Sequence, residues 1–264
     1  MARTARTSAL KALALVVALS SLTINFGVID LVDGFTGYVD QARNQVLDVG
    51  WGAMFGVILP LGLLAQLRRP ERRMAGIQQT AVVAIALAGA GALGAAWWYV
   101  ALAGGLGCAS AALIALHPAR RTLLARGPRL DATMLALAAI AAVPALVYAW
   151  RMASAQRREL PPADAVSNGL HHWTVMAALA LAVLLLVLLA AFRTAGWRIP
   201  AISASIAAGA WAISCLLAPA DAAGSEGHAW GWAVLAWAVA TFACAAWPRT
   251  RDRSVTAEAL VQGT

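Results

Sequence analysis

The chain has 264 residues, of which 61% are apolar and 12% charged, with a formal net charge of +8. Ordinary soluble chains carry about twice that share of charge, so 20 basic and 12 acidic side chains are too few to cover a water-soluble body of this size. This excludes a soluble globular protein, a disordered tail protein, a nucleic-acid binder and a disulfide scaffold, and it makes the lipid bilayer the main partner of the chain.

A stretch of about 20 apolar residues crosses the roughly 30 Å of bilayer hydrocarbon. Eight such stretches fall at 9–30, 50–67, 75–96, 98–117, 131–150, 172–192, 200–217 and 229–247. At the first, Arg3, Arg6 and Lys11 are followed by an apolar run to Leu19 with Ala18-Leu19-Ser20, features of a cleavable signal peptide. Its apolar character resumes through Leu22, Ile24, Phe26, Val28 and Ile29, which favours a retained helix. Phe35, Tyr38, Val39, Ala42 and Val46 then recur at helical spacing and predict a short amphipathic helix on the membrane surface.

Ala75 to His117 contains no charge, and these 43 residues are too many for one crossing. Arginine-rich segments flank the stretch on both sides (Arg68, Arg69, Arg72, Arg73; Arg120, Arg121, Arg126, Arg129), so it reads as two helices turning near Trp97, Trp98 and Tyr99. Arg151 to Leu160 continues the fifth helix until Pro161 and Pro162 end it. Pro60 and Pro144 lie inside spans two and five, where each removes a backbone hydrogen bond and predicts a kink.

Lys and Arg divide unevenly over the resulting loops. Sixteen of the 20 fall on the face that holds the N-terminus, and only Arg43, Arg151, Arg157 and Arg158 on the other. Eight of the 12 acidic residues run the opposite way: Asp30, Asp33, Asp40, Asp48, Glu159, Asp164, Asp221 and Glu226. The positive face is therefore expected to be cytoplasmic, with both termini inside and the protein in the inner (plasma) membrane. No loop is long enough for a separate domain, so residues 1–264 form a single transmembrane domain with a short cytoplasmic tail at 251–264. A parallel 4+4 tandem repeat, with halves 1–117 and 118–250, would match Trp51 with Trp173 as the residues opening the second helix of each half.

Three of the four histidines lie on the acidic face: His171 and His172 at the mouth of span six and His228 at the mouth of span eight. With Asp30, Asp33, Asp48 and Glu226 they are of the types that ligate Zn²⁺, Cu²⁺ or haem iron. Adjacent helical residues point about 100° apart, so such a site would use His171 or His172, but not both, together with His228. Without a metal, Asp30, His172, His228 and Trp173 outline an outward-facing acidic and histidine mouth for a small-molecule ligand. Asp30 is the carboxylate at the bilayer edge and is expected to lie within reach of His172 or of a cleft shared with it, since an imidazole lowers the cost of a carboxylate near hydrocarbon. His117, at the opposite end, is expected to be dispensable.

Other features read as structure. Gly89, Gly91, Gly94, Gly104, Gly105 and Gly107 allow close helix packing, and Cys108, Cys215 and Cys244 sit singly in three spans with no paired motif. The sole lysine, Lys11, is at the membrane edge, which excludes a retinal Schiff base. Asn25, Gln78, Gln79, Thr80, Thr174, Ser203, Ser205 and Ser214 are polar residues within spans, each requiring a partner there. They form no set of nucleophile, base and orienting group, so no enzyme is expected.

The segments Leu67-Arg68-Arg69-Pro70-Glu71-Arg72-Arg73 with Gln78-Gln79, and Gly169-Leu170-His171-His172-Trp173 leading into Met176-Ala177-Ala178, resemble a family of uncharacterised Ala-rich multi-pass membrane proteins of high-GC bacteria. That resemblance implies no activity. Trp230-Gly231-Trp232, near His228, is similar to the tryptophan-rich segment of haem-handling membrane proteins, but the rest of that signature is missing and its ligands are not carried over. Two readings follow: a non-enzymatic small transporter, binder or accessory subunit of a membrane partner protein, without a cofactor, or a metal- or haem-binding membrane protein. The split of basic residues predicts that reporter fusions after Arg73, Arg129, Arg198 and Arg253 read cytoplasmic, and fusions near Gln45, Ala163 and Gly224 read external. A fusion after Arg129 that reads external would overturn the division of 75–117 into two helices.

Overall fold

Hydrocarbon offers no water to bond the backbone, so apolar runs coil into helices that satisfy their own N–H and C=O groups. The computed structural model describes residues 2–23, 27–36, 44–123, 130–158, 170–218 and 222–247. Its helices are α1 (Ala2–Leu22), α2 (Gly27–Thr36), α3 (Gln45–Trp51), a π-helical segment Gly52–Ile58, α4 (Leu59–Leu64), α5 (Met74–Gly94), α6 (Trp97–Leu116), α7 (Ala132–Arg158), α8 (His172–Ala191), α9 (Arg198–Leu217) and α10 (His228–Ala246). Among the described residues there are eight stretches long and apolar enough to cross a membrane: Thr4–Thr36, Gln45–Leu67, and α5 to α10 singly. No strand occurs among these residues. The fold is an all-α bundle of membrane-spanning length, as the sequence implied.

Most boundaries agree with the sequence reading, including the turn before Trp97. There Ala95 closes α5 in a left-handed conformation at φ 56°. The exception is the first connection. Phe35 belongs to α2 and Val46 to α3, so neither lies in the surface helix expected there, while Tyr38, Val39 and Ala42 fall outside the described residues. The physical reason is that Val28, Ile29, Val32 and Phe35 form one exposed apolar face of α2, which continues the first span beyond its predicted end. Asn25, Pro161, Pro162 and the 251–264 tail also lie outside the described residues.

The second and sixth spans are the most enclosed, the third and seventh less so, and the first, fourth, fifth and eighth present broad exposed faces. The enclosed second span is also the irregular one. Pro60 has no N–H to offer the preceding turn, and the chain ahead of it winds as a π-helix. Neighbouring spans satisfy the loosened carbonyls. Ser21 Oγ of α1 donates to Phe55 O at 2.5 Å, and Gln79 Nε2 of α5 donates to Ile58 O and to Ser203 Oγ of α9. The backbones of α2 and the π segment touch directly, since a Cβ on Gly56 would lie 2.5 Å from Gly27 O.

The arginine-rich end is held by side chains bonded to backbone. Asp131 caps α7, its Oδ1 accepting from Thr133 N at 3.1 Å and Met134 N at 3.2 Å, and its Oδ2 faces Arg193 Nε at 3.6 Å. Gln78 donates to Leu123 O and accepts from Thr194 Oγ1 at 3.0 Å. His117 is fully buried; its Nε2 donates to Pro70 O at 3.0 Å and its Nδ1 accepts from Ala119 N at 3.1 Å. It is therefore a neutral tie between two turns rather than the dispensable residue expected from the sequence. Burial pushes its pKa below 6.5, against the opposing effects of the Pro70 hydrogen bond and Glu71. A histidine held neutral contributes stability that is present above pH 6.5 and lost as the pH falls below it, because the unfolded chain then binds the proton more readily. Thermal unfolding of the purified protein should show this acid-side loss, and His117→Gln should be less stable near neutral pH with a flatter pH dependence.

Candidate functional site

Three elements meet at the opposite, acidic end. Asp48 sits in the first turn of α3, His172 is the first residue of α8, and Asp30 lies in the first turn of α2. A left-handed His171 at φ 58° turns the chain into α8 and directs the two histidines to different partners. His171 Nδ1 meets Gln156 Nε2 of α7 at 2.7 Å, whereas His172 Nδ1 meets Asp48 Oδ1 at 3.1 Å. The His172 and Asp48 side chains are only 8% and 12% exposed. Asp30 is half-buried and close enough to interact through space with both.

The position of the pair follows from the helix that carries Asp48. The enclosed α3 brings Asp48 against the enclosed α8, and the two backbones approach where Gly50 faces Met176. A Cβ on Gly50 would lie 2.2 Å from the Met176 sulfur. Asp30 belongs to the more exposed first span and adjoins the pair from outside. The carboxylate hydrogen-bonded to His172 is Asp48, and Asp30, which the sequence reading expected within reach of His172 or of a shared cleft, interacts with it through space.

Aromatic rings back this cluster. The Trp51 ring lies 5.6 Å from the His172 ring, 4.7 Å from Phe55, 5.9 Å from Tyr99 and 6.3 Å from Trp98. Tyr99 Oη donates to Leu170 O at 2.6 Å and fixes the chain entering α8. Sequence reasoning named Trp98 and Tyr99 only as turn residues, and it placed Asp48 among the carboxylates without a partner. The usable signal was Asp48 flanked by Val46, Leu47 and Val49, all buried.

The remaining sequence candidates are not brought into the cluster. Trp173 is buried and lines a separate cleft with α7, Glu226 pairs with Arg151, and His228 is exposed at the start of α10. Among the described residues no group of three or more His, Cys, Asp or Glu side chains is placed to hold a metal ion. Comparison with family models, curated proteins and solved structures returns no match, so the geometry alone carries the functional reading.

Removing one partner of a buried pair leaves the other without compensation. Asp48→Ala and His172→Ala should each destabilise the purified protein by roughly 2–3 kcal/mol, below the usual range for a broken buried ion pair because both keep some contact with water. The double variant should lose less than the sum of the two. Unfolding in a graded detergent mixture measures the cycle, and a coupling near zero would remove the pair from the account.

Proposed function

We propose that this is an integral membrane protein of the inner (plasma) membrane, with its arginine-rich end and both termini in the cytoplasm. On this reading it acts without catalysis, as a small transporter or binder that receives a cationic small molecule at the mouth formed by Asp30, Asp48 and His172. The observation that carries the reading is the buried Asp48–His172 pair at the junction of the two enclosed spans. Ionisable groups this enclosed are expensive in an apolar bundle, and by default they mark a pathway or a binding site.

The residue types suggest the ligand class. Two carboxyl groups, Asp30 and Asp48, adjoin one imidazole, and the ring faces around Trp51 suit a cation. A ligand ammonium would compete for Asp48 Oδ1 with the His172 ring, which meets that oxygen at 3.1 Å. A 4+4 repeat supports the same location. Each proposed half runs from an exposed span to an enclosed one, then a less enclosed one, then another exposed one, and the mouth lies where the two enclosed spans begin.

Methylammonium and its higher homologues up to tetramethylammonium are suitable probes. Calorimetric titration of the purified protein should show saturable binding. Asp48→Asn should weaken binding about tenfold or more, equivalent to about 1.4 kcal/mol. No saturable binding by any member of the series would overturn the reading.

A further inference from the structure

α7 has 27 residues, about 40 Å of helix, and so outruns the hydrocarbon by several residues. Its last two turns carry Arg151, Arg157 and Arg158, three of the four basic side chains assigned to the acidic face. Two of the three are engaged. Arg157 donates to Leu93 O and Ser154 Oγ and lies over the Trp150 ring, and Arg151 pairs with Glu226. Arg158 instead lines a cleft of about 580 Å³, within the size range of small-molecule sites.

The cleft is built rather than incidental. Its floor includes the buried side chains of Met152, Ala155 and Trp173. Its far wall is the turn 222–226, bent at Gly224 with φ 79° and pinned to α7 by Tyr148 Oη donating to Gly224 O at 2.7 Å. The Arg151–Glu226 pair lines it too and cancels its own charge, so among the described lining residues Arg158 carries the remaining charge.

We propose that this cleft is a second binding site, for a phosphate group attached to an apolar body. The Arg158 guanidinium would hold the phosphate oxygens in its planar fork, and Trp173 with Met152 would receive the apolar part. The phosphate could belong to a phospholipid headgroup or to a soluble phosphate ester, since both present the same chemistry. The site is distinct from the Asp48–His172 mouth and does not depend on the cation reading. His172 and Trp173 are adjacent on α8 but engage different surroundings.

The test uses purified full-length protein in a phosphate-free maltoside detergent, with phenyl phosphate as the soluble probe and phosphorus analysis of the same preparation for retained phospholipid. Retained phospholipid that Arg158→Gln releases would identify a headgroup. A lipid-free protein that binds phenyl phosphate, weakened about tenfold by Arg158→Gln (about 1.4 kcal/mol) and partly restored by Arg158→Lys, would identify a soluble ester. In either case Arg157→Gln should retain the parent's binding and helical circular dichroism, because Arg157 does not line the cleft. The proposal is overturned if neither phosphate source binds, or if Arg158→Gln binds as well as the parent while folded.

Discussion

Much of this bundle follows from one constraint: a polar group placed in hydrocarbon is costly unless it finds a partner within the protein. Where the helices are regular the backbone meets it alone. Where Pro60 and the π segment break the regular pattern, Ser21 and Gln79 meet it from neighbouring spans, and Gln79 reaches on to Ser203. The most enclosed irregular helix is therefore tied to two others by its own defect, and through Gln79 to a third. Span order and packing are specified by hydrogen bonds as well as by shape, since apolar contact alone is a weak guide when the solvent is itself apolar.

The spans were legible in the sequence because length and apolar content decide whether a helix crosses lipid, and both can be counted. Gln79 and Ser203 were legible as residues in need of partners, but not as partners of each other, since the chain separation of 124 residues carries no local signal. The same separation hid the Asp48–His172 contact. Asp30 looked like the better partner because it sits in the run of apolar residues that defines span one. Choosing between two carboxylates at similar depth required knowing which span is enclosed, and enclosure is a property of the assembled bundle. His117 was misjudged for a related reason: its value lies in a carbonyl of another loop, Pro70, which only the fold brings near.

The two ends of the bundle are built differently. At the arginine-rich end His117 and the capping Asp131 Oδ1 bond to backbone atoms, and Gln78 joins a loop carbonyl to Thr194, so these turns are fixed by bonds to backbone and between uncharged side chains. At the acidic end the central contacts run between ionisable or polar side chains from different helices: Asp48 with His172, Gln156 with His171, and Arg151 with Glu226. Contacts of the first kind hold a shape whatever is dissolved nearby. Contacts of the second kind involve polar and ionisable side chains for which charged solutes can compete.

That difference bears on how a mouth of this kind would work. A cation entering beside Asp30 and Asp48 gains little if Asp48 keeps His172 as its partner. It gains more by taking Asp48 from His172, with the Trp51 ring, 5.6 Å from the His172 ring, offering its face to the same charge. α3 and α8 approach closely at Gly50 and Met176, where a Cβ on the glycine would lie 2.2 Å from the sulfur. On the proposed reading, this helix crossing holds Asp48 in place before the ligand arrives, so the cost of ordering the site would be met in folding rather than in binding.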